Sequence, residues 1–271
     1  MLLFIILVLL LSIPAVQNRL GRYATERINN DFGTNINIDK VGLQFNGDVE
    51  LKNIYIQDYK KDTLVNINEL NTSILSFKKL FESKLTFGNV DVIGLTLNIK
   101  TYKGEKNTNL DVFVAKLDSD NPSTSGNVFL LSSSDISIIN SKFKLSDENK
   151  ETVDILKFND LNINATNFLI LGPKVSTRIN QLTFKDSRGV NVKNMTTNFS
   201  YSKTSMVFDD LHINTVSSEI NGNLKFKYNR EDLQFFEDKV ALIARFEDSK
   251  IALNELNTFY NEFGVNEVAR I

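Results

Sequence analysis

The side chains that could carry out catalysis are few, and their spacing matches no familiar catalytic arrangement. The chain has one histidine, His212, and no cysteine. A His-based triad or zinc site is therefore difficult to build, and a thiolate nucleophile is excluded. Neither a Gly-rich phosphate loop nor a Gly-x-Ser-x-Gly elbow is present in the sequence. We therefore expect a protein that is not an enzyme and that uses no metal or other cofactor.

Adjacent carboxylates are the remaining candidates for acid–base or metal chemistry. Asp209-Asp210 and Glu231-Asp232 lie at predicted strand ends and loops, where charged side chains are ordinarily solvated. His212 follows Leu211 in an alternating apolar–polar segment, so we expect its ring to face water. We interpret all of these residues as surface groups.

The composition is that of a globular protein without a polyanion-binding signature. The chain has 271 residues, a net charge of -2 and 42% hydrophobic residues. A basic stripe is absent, so nucleic acid is not expected as a partner. There are 20 phenylalanines and no tryptophan, which supplies apolar area without polar atoms that need partners.

A strand with one apolar and one polar face recurs along the chain. In residues 87–100, apolar residues alternate with polar ones on both sides of Ile93-Gly94, where the phase shifts by one residue. We predict a β-bulge there, because glycine tolerates the backbone that a bulge needs. Variants of this pattern occupy residues 48–56, 158–163 and 208–213. The degenerate repeat favours one continuous sheet, extended strand by strand.

The spacing of these strands predicts how the sheet is connected. Strand patterns follow one another from Ile36 onward with polar turns between them, which indicates an antiparallel meander. We predict short helices only at residues 15–30, 76–83 and 254–263. Residues 102–109 are predicted to be a polar loop. Residues 119–127 are rich in Ser and Asn and are predicted to be a loop or internal boundary.

A one-sided sheet must bury its apolar face, and the chain offers no second layer large enough to cover it. The sheet therefore either closes into a sandwich or barrel, or curls into a trough whose apolar inside holds acyl chains. The candidate lining residues share an apolar side chain in the alternating pattern: Leu43, Phe45, Leu51, Val90, Val92, Leu95, Leu97, Ile99, Phe143, Phe158, Phe184, Phe199, Phe208, Phe226 and Phe246.

Residues 1–16 are nearly all apolar. As a helix they would reach about 24 Å, short of the ~30 Å hydrocarbon core of a bilayer. We favour an uncleaved membrane anchor over a cleaved signal ending near Ala15 or a buried core helix. Arginines follow the segment instead of preceding it, so we expect a basic segment before Met1.

Pro14 is predicted to kink this helix or to begin a new one. Beyond it, apolar residues recur at helical spacing up to Gly33. The pattern predicts an amphipathic helix that lies on the membrane face or plugs the end of the sheet.

The order of these segments resembles the TamB family, the inner-membrane subunit of the translocation and assembly module in the AsmA-like superfamily of Gram-negative bacteria. The resemblance is strongest over residues 1–115 and is closest to the Bacteroidetes branch. It is carried by Ser12-Ile-Pro-Ala-Val-Gln, the helix at 18–33, Ile36-Asn-Ile-Asp-Lys-Val-Gly, Val49-Glu-Leu-Lys-Asn-Ile-Tyr-Ile, Phe87-Gly-Asn-Val-Asp-Val-Ile-Gly-Leu-Thr-Leu-Asn-Ile and Thr108-Asn-Leu-Asp111.

The resemblance implies an inner-membrane anchor with a periplasmic body, in which an antiparallel sheet curls into an open hydrophobic groove, or β-taco. It implies phospholipid as cargo, carried between the inner and outer membranes. The rival function is a structural or chaperone-like scaffold that works with a BamA-type (TamA-like) outer-membrane barrel in outer-membrane protein assembly. The expected parts are an anchor (1–16), an amphipathic helix (17–33), the first part of the groove (34–118), a loop (119–127) and the rest of the groove (128–271).

Family members are longer than this chain and reach the barrel through a C-terminal domain. We therefore expect further sheet after Ile271, because a sheet that stopped there would expose an unpaired edge.

Overall fold

The computed structural model describes residues 13–44, 48–74, 84–117, 128–151, 153–229, 239–256 and 268–270. Within these ranges lie three helices, α1 (Pro14–Phe32), α2 (Asn109–Lys116) and α3 (Leu253–Leu256). The strands are β1 (Ile36–Leu43), β2 (Asp48–Gln57), β3 (Thr63–Ile74), β4 (Lys84–Thr101), β5 (Leu130–Asp147), β6 (Asp154–Leu171), β7 (Lys174–Asp186), β8 (Asn191–Tyr201), β9 (Ser205–Asn214), β10 (Glu219–Lys227), β11 (Ala241–Phe246), β12 (Lys250–Ala252) and β13 (Val268–Arg270).

Some predicted segments fall outside these ranges. They are the helix at 76–83, the loop at 119–127 and most of the helix at 254–263, of which α3 covers the first residues.

The described strands form one long, curved sheet in which chain order is also spatial order from β1 to β10. β11 and β12 both pair with the far edge of β10, one after the other along it: β11 with residues 222–227 and β12 with Glu219. β13 pairs with β12. Each strand packs chiefly against the strands beside it. In the described part of the chain the sheet is a single open layer, so closure into a sandwich or barrel is not observed.

The predicted antiparallel pairing is confirmed for the sheet as a whole but is wrong at one step. β4 and β5 run parallel, with Val90 opposite Ile136 and Leu97 opposite Phe143. Parallel neighbours need a crossover connection, and α2 lies within it.

The sequence analysis did not predict α2, although the start of this helix carries a recognisable capping pattern. The Thr108 hydroxyl accepts a hydrogen bond from the Asp111 backbone amide at 3.0 Å, and the Asp111 carboxylate accepts one from the Thr108 amide at 3.1 Å. This capping box satisfies two amides that the first turn of a helix leaves unpaired.

Residues that face each other across the ladders lie on the same side of the sheet. In one such row Ile38 lies opposite Ile54, Ile54 opposite Ile67, and Ile67 opposite Leu95. In a row on the other side of the sheet, Glu50 lies opposite Asn71, and Asn71 lies opposite Asp91. One side of the sheet is therefore apolar and the other polar, as the alternating sequence predicts.

A crease crosses the sheet where the alternation changes phase. Gly94, Asn53 and Asn140 lie inside their strands with φ of 69°, 52° and 52°. Such left-handed backbone turns the following side chain to the other face of the sheet. The predicted phase shift at Ile93-Gly94 is therefore confirmed.

The predicted bulge at this dipeptide is wrong. The β3–β4 register continues unbroken from Glu69–Ile93 to Ile67–Leu95, and the β4–β5 register is equally regular. β3 and β5 change phase at the same level as β4, so β4 carries no extra residue relative to either neighbour there.

Gly94→Ala is expected to lower the free energy of unfolding by roughly 1 to 3 kcal/mol, since alanine in left-handed backbone is strained. An added Cβ would also overlap the Asn68 side-chain amide. Gly42→Ala in β1 is the matched control, because the nearest atom to its Cβ position is 3.6 Å away. Urea unfolding measures both variants, and equal losses of stability would contradict this account of the crease.

α1 covers the free edge of β1. The helix begins with Pro14 at its first position and ends where Gly33 takes φ 63°, which confirms the predicted amphipathic helix. Val41 donates its backbone amide to Asn18 at 2.9 Å, and Asn29 both donates to the Ile36 carbonyl at 2.9 Å and accepts from its amide at 2.8 Å. Helix side chains thus take the place of a neighbouring strand and block this edge.

None of the helices in the described ranges is long and apolar enough to cross a membrane. Of the predicted anchor, residues 1–12 lie outside the described residues, and residues 14–16 belong to α1.

Candidate apolar groove

The groove face is the apolar side of the sheet, and it holds every described candidate from the sequence. Phe45 lies outside the described residues. The ladder registers put the others on this one side: Leu43, Leu51, Val90, Val92, Leu95, Leu97, Ile99, Phe143, Phe158, Phe184, Phe199, Phe208, Phe226 and Phe246.

Only part of the groove face is buried. Val90, Val92 and Ile136 form a buried cluster at its centre, with Ile67 and Phe168 among the half-buried residues packed on it. Most of the remaining candidates are half-buried. A core between two layers would bury them, whereas a single curved layer leaves them partly open to solvent. Contiguous apolar surface of this kind is typical of a ligand-binding groove.

A cavity of about 250 Å³ lies between α1 and the first strands of the groove face. The helix contributes Leu20, Gly21, Ala24 and Ile28 to its wall, and the sheet contributes Ile36, Ile38, Val41, Leu43, Val49, Leu51, Thr72, Leu85 and Phe87.

The few polar side chains in this wall already have partners. Gln17 donates to the Leu43 carbonyl at 2.8 Å, and Thr72 donates to the Asn89 carbonyl at 2.9 Å. Thr25 donates to the carbonyl of Gly21 in its own helix. The cavity thus offers apolar surface and no spare polar group, so its chemistry suits a hydrocarbon chain.

The two longer helices meet beside this cavity. Ile28 and Phe32 of α1 form a buried cluster with Leu117 and Phe129, and the Phe32 and Phe129 rings lie edge to face at 5.2 Å. The Lys116 ammonium donates to the Gly33 carbonyl at 2.7 Å and joins the end of α2 to the end of α1. The helices therefore hold each other in place over the groove face.

Two rows of aromatic rings cross the groove face farther along the sheet. In the first, Phe158 stacks on Phe143 at 5.2 Å and on Phe184 at 4.1 Å. In the second, Phe208 lies 5.1 Å from Phe199 and 6.4 Å from Phe226. Each cross-strand pair adds about 0.5 to 1.5 kcal/mol beyond the area that it buries. The rows fix the spacing of neighbouring strands with apolar groups alone.

A buried polar cluster at one rim of the sheet was missed by sequence reasoning. The Asp58 carboxylate, in the turn between β2 and β3, accepts from Tyr102 Oη at 2.6 Å and from Asn109 Nδ2 at 3.0 Å. It also accepts from the backbone amides of Lys60 at 2.9 Å and Asp62 at 3.0 Å. Asp58, Tyr102 and Asn109 are 6%, 7% and 1% exposed.

This cluster positions α2 beside β4. Asn109, the first residue of α2, also accepts from the Lys100 backbone amide at 2.9 Å. The Lys60 ammonium lies 4.2 Å from the centroid of the Tyr102 ring. The alternation of apolar residues carries no signal for such a contact, because its members are polar and Asp58 lies 44 and 51 residues from Tyr102 and Asn109.

Asp209, Asp210 and His212 are exposed, as predicted, but the two aspartates lie inside β9 and not at a strand end. Asp210 accepts from Arg178 Nη1 at 2.7 Å, and its other oxygen lies 3.2 Å from His212 Nε2. His212 Nδ1 lies 2.8 Å from Asn221 Oδ1, and its side chain is 49% exposed. Glu231-Asp232 lies outside the described residues. In the ranges described, no three His, Asp or Glu side chains come together as a metal site would require.

The hydrogen bonds to Asn221 and Asp210 raise the pKa of His212 above its ordinary value of 6.5. Folding therefore favours the protonated ring, so its contribution to stability is complete below about pH 6 and declines as pH rises through the raised pKa. Since the ring is half exposed, we expect a loss of less than about 1 kcal/mol. Unfolding measured from pH 5 to 9 should show this decline in the native protein and not in His212→Gln.

No protein-family model matches this sequence, and a search of curated proteins finds no match. The groove face and the cavity beneath α1 are therefore the features from which a function must be argued.

Proposed function

We propose that the protein is a non-enzymatic lipid conduit, whose groove face carries the acyl chains of phospholipids between the inner and outer membranes of a Gram-negative bacterium. Residues 1–16 anchor it in the inner membrane, and the sheet lies in the periplasm. The single observation that carries the proposal is the continuous, half-exposed apolar face of an open sheet. The apolar cavity under α1 supports it.

An open apolar groove suits the two parts of a phospholipid. Moving an acyl chain from water to an apolar surface gains about 0.8 kcal/mol for each methylene buried. The groove face offers such surface from β1 to β10, so a chain need not leave apolar contact as it moves along the sheet. The open side leaves room for a headgroup to stay in water, where it keeps its hydration.

Leu97→Asp and Phe226→Asp test this function. Each puts a carboxylate on the groove face. A bound acyl chain would then either lose apolar contact at that position or remove water from the carboxylate, which is costly. We expect cross-linking to a phospholipid with a photoreactive acyl chain to fall at least fivefold in each variant.

The matched controls are Thr96→Asp and Lys225→Asp, which change the adjacent residues of the same strands on the polar side. They should cross-link as the native protein does. Circular dichroism and urea unfolding must confirm that all four variants are folded. Undiminished cross-linking in folded Leu97→Asp and Phe226→Asp would contradict the conduit.

A second candidate is a scaffold that passes polypeptides to an outer-membrane barrel of the BamA type. The observation that favours it is β11, which pairs with β10 on one side and is exposed along nearly its whole length. Leu242 and Ile243 are 58% and 49% exposed. Among the described strands β11 is an edge strand, and such a strand can pair with an incoming one. Native mass spectrometry of the detergent-extracted protein separates the two functions. Phospholipid that co-purifies with the protein supports the conduit, and a protein without bound phospholipid supports the scaffold.

A further inference from the structure

We propose that the outer face of α1 rests on an anionic lipid surface and holds the mouth of the cavity at the headgroups. The outer face consists of the exposed residues Arg19, Leu20, Arg22, Tyr23, Glu26 and Arg27. The inference rests on the proposed function for its lipid source, and it adds the surface through which the protein meets the membrane.

α1 has a defined beginning at Pro14. Ile13 is extended, with φ -78° and ψ 120°, and Pro14 opens the helix. Residues 1–12 include no charged residue. A chain that leaves the bilayer at this point begins a separate helix instead of continuing outward as the same one. α1 is therefore free to lie along the membrane surface.

The opposite side of α1 is already occupied by protein contacts. Gln17, Thr25, Ile28 and Phe32 are buried against the sheet and α2. In the described part of the chain the outer face is the side of α1 left open to another surface, and this fixes which side of the helix would meet lipid.

The charge and composition of the outer face suit phosphate-bearing headgroups. It carries three arginines against one glutamate, and Arg27 also lies 3.7 Å from Asp31. Each arginine near an anionic bilayer surface adds to the attraction between the helix and the membrane. Tyr23 is 53% exposed, and tyrosine is enriched at the level of the headgroups. A neutral protein partner would gain nothing from three exposed guanidinium groups.

The cavity opens beside this face. Leu20 lines the cavity and is also 43% exposed, so it belongs both to the wall and to the outer surface. An acyl chain that left a bilayer under α1 would pass Leu20 to reach the interior. Docking on the membrane would thus place the entrance where the lipid is.

The chain has no cysteine, so a single introduced cysteine can carry a nitroxide label without further changes. Glu26→Cys puts the label on the outer face, and Ser200→Cys puts it on the exposed polar side of β8 as a control. The 271-residue chain is reconstituted in nanodiscs of phosphatidylcholine, alone or with a third of phosphatidylglycerol. Power saturation then compares the accessibility of the label to oxygen and to a water-soluble nickel chelate.

In anionic discs we expect the Glu26→Cys label to lose at least half of its accessibility to the nickel chelate, and the Ser200→Cys label to keep it. Adding Arg19→Glu and Arg22→Glu should restore access. A Glu26→Cys label that stays fully accessible in anionic discs overturns the docking. Lipid cross-linking at the groove face is measured on the same samples, so cross-linking without protection of α1 refutes the docking alone, and protection without cross-linking refutes the conduit alone.

Discussion

Asp58→Ala is expected to lower the free energy of unfolding by about 3 kcal/mol. The substitution removes a carboxylate that accepts four hydrogen bonds. Two of the donors, Tyr102 Oη and Asn109 Nδ2, belong to buried residues and lose this acceptor. Hydrogen bonds to charged groups contribute about 1.5 to 3 kcal/mol each, and buried donors left unpaired add a desolvation cost. Part of the loss is offset, because Tyr102 keeps its bond to Asp62 and Asn109 its bond to the Asn98 carbonyl.

Asp62→Ala is the control for this experiment. Asp62 lies in the same turn and accepts from Lys100 and Tyr102, but its side chain is 54% exposed. Solvent screens such a contact, so the expected loss is less than about 1 kcal/mol. Urea unfolding followed by circular dichroism gives both values. If Asp58→Ala costs no more than Asp62→Ala, the buried cluster does not stabilise the position of α2.

Gly21→Leu is expected to lift α1 from the sheet at a cost of about 3 kcal/mol or more. Even a methyl group on Gly21 would overlap Val41 Cγ2, and valine has little freedom to turn away. Displacing the helix also breaks the hydrogen bonds of Gln17, Asn18 and Asn29 to β1. The edge of β1 is then unpaired, so we expect self-association in addition to lower stability.

Ala24→Leu is the matched control, because it puts the same side chain on the same helix less than one turn later. Ala24 faces the cavity, which has space for the added atoms. We expect a change within about 1 kcal/mol and an unchanged molecular mass in solution. Light scattering and urea unfolding compare the two variants. Equal destabilisation would mean that the close contact at Gly21 does not determine where α1 lies.

The one-sided character of the sheet could be predicted from sequence because alternation is a local property of each strand. Val90, Val92, Leu95 and Leu97 share the groove face just as their spacing around Gly94 indicates. The bulge prediction failed for the same reason. A phase shift is visible in one strand, whereas a bulge depends on whether the neighbouring strand shifts at the same level.

Contacts between distant residues account for what sequence did not reveal. The parallel pairing of β4 with β5 depends on a crossover whose helix was overlooked, although Thr108 and Asp111 signal its start. The polar residues Asn18 and Asn29 fit a solvated helix face equally well, and only the fold brings them to the edge of β1. The cavity likewise exists because α1 lies across four strands.

The covered edge of β1 has a consequence for how the chain folds during synthesis. α1 leaves the ribosome before β1, and each strand up to β10 pairs with the one made just before it. Such pairings close short loops, which favours fast, sequential folding. The growing sheet would then expose one unpaired edge at a time, always at its newest strand. β5 differs from the other strands because the long crossover must emerge before it can pair with β4. The edge of β4 therefore stays unpaired longer than the edges of the other strands up to β10.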